Sequence, residues 1–227
     1  DLLFVLTLQH KVLFMEKNEL LQDISSIRKL MERSSRFISL SGLSGIIPGI
    51  LALITVGAIY YRVWPSEEMA LSHKLNVYRY ITIDSELLIY VAVLLGCLFI
   101  CSIISGIYFT ARRTKQMNLT IWDHTSKQLL ISLMIPIGVG CLFCFALFMN
   151  GMWGLVLPAS LLFYGLALLN ASKYTLVDIQ YLAYSELVLG LIACYFYGYS
   201  LIFWGVGFGL LHIIYGGIMY YKYEKQG

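Results

Sequence analysis

The sequence predicts an all-α integral membrane protein. Its predicted fold has six transmembrane helices as three hairpins, preceded by a cytoplasmic amphipathic helix. Of its 227 residues, 59% are apolar and 13% are charged, whereas soluble domains carry about 25% charged residues. The apolar residues form runs of about 20, the length that crosses the hydrocarbon core of a bilayer. Basic residues collect in every second gap between those runs, as expected for loops that stay on one side of a membrane.

The apolar runs define a predicted six-helix transmembrane domain over residues 37–227. Its spans are predicted at residues 37–61, 86–111, 128–149, 152–172, 179–199 and 200–221. Very short links join the third span to the fourth and the fifth to the sixth. Each of these pairs is therefore predicted to be a tight helical hairpin, with the first two spans forming the remaining hairpin around a longer outer loop.

The distribution of positive charge predicts how the chain is threaded. Of the 16 Lys and Arg residues, all but Arg62, Lys74 and Arg79 fall on the side that holds the N-terminal segment and the C-terminal tail. Cytoplasmic loops carry the excess of Lys and Arg in membrane proteins. Both termini are therefore predicted to be cytoplasmic, with the protein integral to the plasma (cytoplasmic) membrane.

Residues 1–36 precede the first predicted span and divide into two parts. Residues 1–14 are predicted to be an upstream or non-native extension, because Met15 reads as a natural start. Residues 15–36 are predicted to form a cytoplasmic amphipathic helix at the membrane interface, where anionic lipid binds its basic residues. Its apolar face consists of Leu20, Ile24, Ile27 and Met31. The alternative is a helix that docks onto a membrane protein partner or a second copy.

Two short motifs recur at one spacing and predict an internal repeat. Each pair of copies lies 51 residues apart: Trp153-Gly154 with Trp204-Gly205, and Tyr164-Gly165 with Tyr215-Gly216. A duplication would make spans three and four superpose on spans five and six. Membrane transporters are often built from repeats, with substrate bound where the repeats meet. The alternative is that these dipeptides are common in helices that pack closely or end at an interface.

Small residues at helical spacing predict close packing of two spans. Such residues let helix backbones approach in a membrane, where no hydrophobic drive brings helices together. The predicted helix-packing glycines are Gly42, Gly45 and Gly49 in span one, and Gly205, Gly209 and Gly216 in span six. The same spacing also suits a dimer face, so a homo-oligomer is the alternative to packing within one chain.

Two ionisable residues are the candidate buried polar or transport site. His212 lies near the middle of span six, on the side of its glycines, and Glu186 lies about two turns into span five. An ionisable group inside a membrane marks a functional site by default. The alternatives are a neutral histidine hydrogen-bonded across a helix interface and a carboxylate that reaches toward the membrane surface. No second ligand stands at metal spacing from His212, so neither a metal nor a cofactor is predicted.

The predicted function is a small transporter or channel-like protein, with His212 and Glu186 near its path. The alternative is a non-enzymatic regulatory or assembly subunit that acts through the N-terminal helix. An enzyme is disfavoured, because zinc-helix, nucleophile-elbow and phosphate-loop motifs are absent from the sequence. The net charge of +3 is small, and no nucleic-acid partner is predicted.

Overall fold

The computed structural model describes residues 41–63, 85–117 and 122–225, and within these ranges the chain is helical with no strand. The amphipathic helix predicted for residues 15–36 and the extension predicted for residues 1–14 lie outside the described residues. The start of the predicted first span, before residue 41, also lies outside them.

The described chain forms five helices followed by a composite last helix. The five are α1 (Leu43–Val63), α2 (Ser85–Gln116), α3 (His124–Met149), α4 (Trp153–Ala171) and α5 (Ile179–Tyr195). The last helix joins α6 (Ser200–Trp204), a π-helical segment (Gly205–Leu211) and α7 (His212–Tyr223). Short 3₁₀ turns at Ser172–Tyr174 and Tyr197–Tyr199 follow α4 and precede α6.

Five of these helices are long and apolar enough to cross a membrane. They are α1, α2, α3, α4 with its following turn, and the last helix with its preceding turn. The helix at the predicted fifth span, α5, is also apolar but has only 17 residues. Among the described residues the membrane-length helices therefore number five, and the six-span hairpin topology remains a prediction.

Exposed apolar side chains cover the outer helices and are consistent with a lipid-facing surface. None of the most apolar stretch of α2 is buried, and Ile107 on α2 and Leu142 on α3 are 66% and 73% exposed. Soluble proteins rarely expose apolar patches larger than a few hundred Å². These surfaces, together with the membrane-length helices, give the chain the fold of a helical membrane protein.

Three helix ends differ from those predicted by four or five residues. Helix α3 begins four residues before predicted residue 128, because the Asp123 side chain caps it by accepting the Ser126 backbone N–H at 2.7 Å. Helix α2 continues to Gln116, past predicted residue 111, because its basic residues stay helical after the apolar run ends. Helix α5 ends at Tyr195, and residues 197–199 form a 3₁₀ turn where the fifth span was predicted to continue.

The helices pack as two groups joined by the last helix. Helix α1 packs between α2 and the last helix, and α4 packs between α3 and α5. The start of the last helix also contacts α4 and α5. Helix α3 packs along α4, whereas α5 packs more extensively on α4 than on the last helix. The last helix thus lies between the two groups.

The closest helix contact joins α1 to the last helix through glycines. A Cβ added at Gly216 would lie 2.6 Å from the Gly42 carbonyl oxygen and 2.8 Å from the Ile46 backbone nitrogen. One at Gly49 would lie 2.8 Å from the Gly209 carbonyl oxygen. Only glycine permits such approach of one backbone to another. All six glycines selected from the sequence lie on this contact; at Gly42, Gly45, Gly49 and Gly216 an added Cβ would approach backbone atoms of the other helix, whereas at Gly205 and Gly209 it would first meet the α1 side chains Val56 and Leu53.

A polar cluster ties the C-terminal end of the last helix to α1 and α2. The Glu224 carboxylate accepts hydrogen bonds from the Ser41 hydroxyl at 3.0 Å and the Gly42 backbone N–H at 2.6 Å. It also pairs with the Arg113 guanidinium at 3.0 Å, which donates a further bond to the Tyr223 carbonyl oxygen at 2.7 Å. One carboxylate therefore holds the start of α1 and the end of α2 against the end of the last helix.

A second contact at the same end joins the last helix to the link before α5. The Asp178 carboxylate accepts hydrogen bonds from the Lys222 ammonium and the Tyr223 hydroxyl, each at 2.7 Å. Burial alone would raise the pKa of the Asp178 carboxyl, but these two hydrogen bonds hold that pKa below its ordinary value. The ionised carboxylate is therefore the form that the fold stabilises at neutral pH.

Replacing the central carboxylate of this cluster is expected to destabilise the fold. Glu224→Ala removes the acceptor for three donors and leaves the Arg113 guanidinium, which is largely buried, without its ion pair. A loss of about 2–3 kcal/mol of unfolding free energy is expected. The control is Lys115→Ala, an exposed residue of α2, with a change within about 0.5 kcal/mol. Equal unfolding free energies for the two variants in detergent would contradict the cluster's stabilising role.

Candidate functional site

The site is a carboxyl–imidazole pair between α5 and the last helix. Oε1 of Glu186 lies 3.5 Å from Nδ1 of His212. Glu186 is 0% exposed and His212 is 7% exposed. The sequence pointed to each residue separately, and the structure brings the two side chains together in the interior of the bundle.

The π-helical segment is the part of the last helix that lies against the Glu186 carboxyl. A Cβ added at Gly207, within this segment, would lie 2.6 Å from Oε2 of Glu186. The carboxyl group thus occupies the space that any other side chain at Gly207 would need. His212 is the first residue of α7, directly after the π-helical segment. Short π-helical segments are rare and often occur at functional sites.

Two hydrogen bonds fix the orientation and the tautomer of the imidazole. Nδ1 of His212 lies 3.0 Å from the Gly207 carbonyl oxygen, and Nε2 lies 2.9 Å from the Tyr164 hydroxyl of α4. A carbonyl oxygen can only accept, so Nδ1 carries the hydrogen. In the neutral ring Nε2 then accepts from the Tyr164 hydroxyl. The N–H side of the ring therefore faces both Gly207 and Glu186.

Aromatic rings pack around the imidazole. Phe208 lies between three rings, with centroid distances of 4.8 Å to Tyr164, 4.8 Å to Trp204 and 5.8 Å to His212. The Trp204 indole N–H donates to the Ser160 hydroxyl at 3.2 Å. These rings contribute apolar contact around the histidine and fill the space between α4 and the last helix. The environment of the pair is therefore largely apolar.

The Glu186 carboxyl is buried without a hydrogen bond. Neither oxygen has a hydrogen-bond partner in the described part of the chain, and Nδ1 of His212 lies 3.5 Å from Oε1, beyond a normal hydrogen bond. Burying a carboxylate without a donor costs several kcal/mol. Two neutral arrangements avoid this cost: a protonated carboxyl beside a neutral imidazole, or a carboxylate paired with an imidazolium.

Sequence reasoning missed two residues of the site. Tyr164 belongs to a proposed repeat motif and was not assigned to the site, although a buried Tyr hydroxyl needs a polar partner. Gly207 lies between two glycines that were assigned to helix packing. In the proposed repeat Tyr164 corresponds to Tyr215. The Tyr215 hydroxyl is buried and has no hydrogen-bond partner among the described residues.

The described ranges hold neither a metal-ligand cluster nor a disulfide. No group of three His, Cys, Asp or Glu side chains there is close enough to hold a metal ion. The cysteines are free, and the Cys144 thiol contacts the Val156 carbonyl oxygen at 3.6 Å. Among the described residues, the Glu186–His212 pair is therefore the strongest candidate for a functional site.

Comparison of the chain with protein families, with curated proteins and with solved structures finds no match. The class of protein follows from the fold and the site: a helical protein whose described residues include five apolar helices long enough to cross a membrane and enclose a buried carboxyl beside an imidazole. Ionisable groups inside membrane helices commonly face a bundle interior and belong to ion, proton or substrate pathways.

Proposed function

We propose that the protein is a small transporter or channel-like protein whose path passes the Glu186–His212 pair. The observation that carries the proposal is the complete burial of Glu186 without a hydrogen-bond partner, 3.5 Å from the imidazole. A purely structural carboxyl in an apolar interior would lower the stability of the fold without a compensating interaction. An apolar residue of similar size would pack there without that cost.

The position of the pair at a helix interface supports the transport proposal. Helices of the two packed groups meet at the last helix, whose π-helical segment lies beside Glu186. Transporters place their sites at interfaces between helix groups, often where a helix departs from regular α geometry. In the full proposal α5 is the fifth of six spans, both termini are cytoplasmic, and the duplicated hairpins of the predicted repeat meet at this site.

The proposed function is tested by electrical measurement on reconstituted protein. Purified protein in liposomes on a solid-supported membrane is exposed to concentration jumps of H⁺, Na⁺ and K⁺, the cations that a buried carboxylate would attract. At least one jump is expected to produce a current, which Glu186→Gln lowers about tenfold, equivalent to ~1.4 kcal/mol. The control is Ser185→Ala, the exposed neighbour on α5, which is expected to keep the current.

Two outcomes would contradict the transport proposal. One is the absence of current from the wild-type protein for all three cations, and the other is an equal current from Glu186→Gln. Either result would favour the regulatory or assembly subunit, which depends on residues 15–36. Deleting those residues is then expected to abolish capture of a membrane partner while the bundle stays folded.

A further inference from the structure

We infer that the species exchanged at this site is a proton, bound by the Glu186 carboxyl, with His212 as the donor that stabilises the carboxylate left behind. The inference rests on the proposed function and deepens it by naming the ligand. It follows from the position of the Glu186 carboxyl beside the Nδ1–H of His212, which faces both Glu186 and the Gly207 carbonyl oxygen in the interior of the bundle, and from the atoms around them.

The loaded state matches the hydrogen bonds of the structure. The proton is on a Glu186 oxygen, and the neutral imidazole donates its Nδ1–H to the Gly207 carbonyl oxygen at 3.0 Å. The carboxyl group is then uncharged, so burying it without a hydrogen-bond partner in the described chain costs less than it would for a carboxylate. The pair as a whole is uncharged, which suits its apolar surroundings.

Release of the proton changes one bond and one hydrogen bond. The carboxyl O–H bond breaks, its electron pair stays on the oxygen, and the proton passes to water on one side of the membrane. The Nδ1–H of His212 then turns from Gly207 toward Oε1 of Glu186, which already lies 3.5 Å from Nδ1. A charge-assisted hydrogen bond to the carboxylate replaces a neutral one to a carbonyl. Uptake of a proton reverses both changes.

Tyr164 is a positioning residue in this exchange. Its hydroxyl donates to Nε2 of His212 at 2.9 Å, so the hydrogen of the neutral ring stays on Nδ1, the side that faces Glu186. Without this bond the other tautomer becomes available, and it would present a lone pair to the carboxylate. The ring would then lose the donor that the released state requires.

Among the described residues, few other titratable groups lie beside the pair. Helix α4 contributes Tyr164, which contacts His212, and the last helix carries Tyr215, with a buried hydroxyl, one turn after His212. Helix α1 approaches the His212 backbone at Gly45, and its residues 43–59 include no titratable side chain. The pH response of the site is therefore expected to come from the Glu186 carboxyl and the His212 ring.

The surroundings of Glu186 favour a proton over a metal cation. Hard cations take about six or more oxygen ligands. Among the described residues, Gly207 and the N–H side of His212 lie beside the carboxyl, and neither of its oxygens has a hydrogen-bond partner. An N–H group repels a metal cation and stabilises a carboxylate, so the same neighbours that disfavour a metal ion support proton release.

Infrared titration of the purified full chain in detergent tests the inference without any transport substrate. A protonated carboxyl has a C=O stretch distinct from that of a carboxylate. Difference spectra across a pH titration are expected to contain a carboxyl band that is present in wild type and in Ser185→Ala and absent from Glu186→Gln. Superimposable titrations of wild type and Glu186→Gln would overturn the inference.

A second variant keeps the test decisive if Glu186→Gln fails to fold. Tyr164→Phe leaves the carboxyl in place and removes the bond that fixes the imidazole tautomer. It is expected to move the midpoint of the Glu186 band by about one pH unit, and an unchanged midpoint would contradict the role of His212. A titrating band without cation currents would contradict the transport function alone. If Na⁺ or K⁺ currents are lost in Glu186→Gln and no carboxyl band titrates, the identification of the proton as the exchanged species is contradicted, while the transport function is not.

Discussion

Gly216→Ala is expected to destabilise the protein by about 3 kcal/mol, the upper end of the usual cost of overpacking. The added methyl group would lie 2.6 Å from the Gly42 carbonyl oxygen and 2.8 Å from the Ile46 backbone nitrogen. Backbone atoms cannot turn aside as a flexible side chain can, so α1 and the last helix must separate. Unfolding of the detergent-solubilised protein, followed by circular dichroism in a denaturant titration, measures the effect.

The neighbouring residue provides a matched control for Gly216. A Cβ added at Gly217, in the same helix, meets no atom within 4 Å. Gly217→Ala is therefore expected to leave stability unchanged or to raise it by about 0.5–1 kcal/mol, the usual gain in a helix. If the two variants have the same stability, the close contact of α1 with the last helix does not exist in solution.

Gly207→Ala is expected to lower the cation current of reconstituted protein at least tenfold. The methyl group would lie 2.5 Å from Cδ2 of Leu161 and 2.6 Å from Oε2 of Glu186, so the carboxyl would be displaced from its position beside His212. Even a small displacement matters, because the Oε1–Nδ1 distance of 3.5 Å already lies beyond a normal hydrogen bond. The current is measured on a solid-supported membrane under the conditions used for wild type.

Gly205→Ala separates this effect from a general disturbance of the π-helical segment. Both glycines belong to that segment, but a Cβ at Gly205 would meet the Val56 side chain at 3.3 Å, and a side chain can adjust. Gly205→Ala is expected to keep most of the current. Equal loss of current in both variants would mean that the segment itself, and not the space beside Glu186, sets the activity.

Most of the helices could be predicted from apolar run length, but their ends depend on other features. The run that ends near residue 111 does not reveal that α2 continues through basic residues to Gln116. The apolar run of residues 179–199 contains a break after Tyr195. This break could not be predicted, because length and hydropathy do not distinguish one helix from a helix followed by a 3₁₀ turn. The cap at Asp123 was readable from the sequence, since Asp before a helical run is a common start signal.

The two ionisable members of the site were accessible to sequence reasoning because charge is rare inside apolar helices. Their adjacency was not, since it depends on where α5 crosses the last helix. The π-helical segment shifts the register of the last helix, and a helical wheel with regular spacing does not include that shift. Gly207 and Tyr164 were missed for the same reason: each acts through a contact between helices that no local pattern encodes.

The pairing of Glu186 with His212 is the claim on which the proposed function and the proton inference both depend. Solid-state NMR of the protein in lipid bilayers, with ¹³C in Glu side chains and ¹⁵N in His rings, measures the dipolar coupling between Glu186 Cδ and His212 Nδ1. A clear coupling is expected from the 3.5 Å contact of Oε1 with Nδ1, and it should disappear in Glu186→Gln prepared with the same labels. No coupling in the folded wild-type protein would contradict the account.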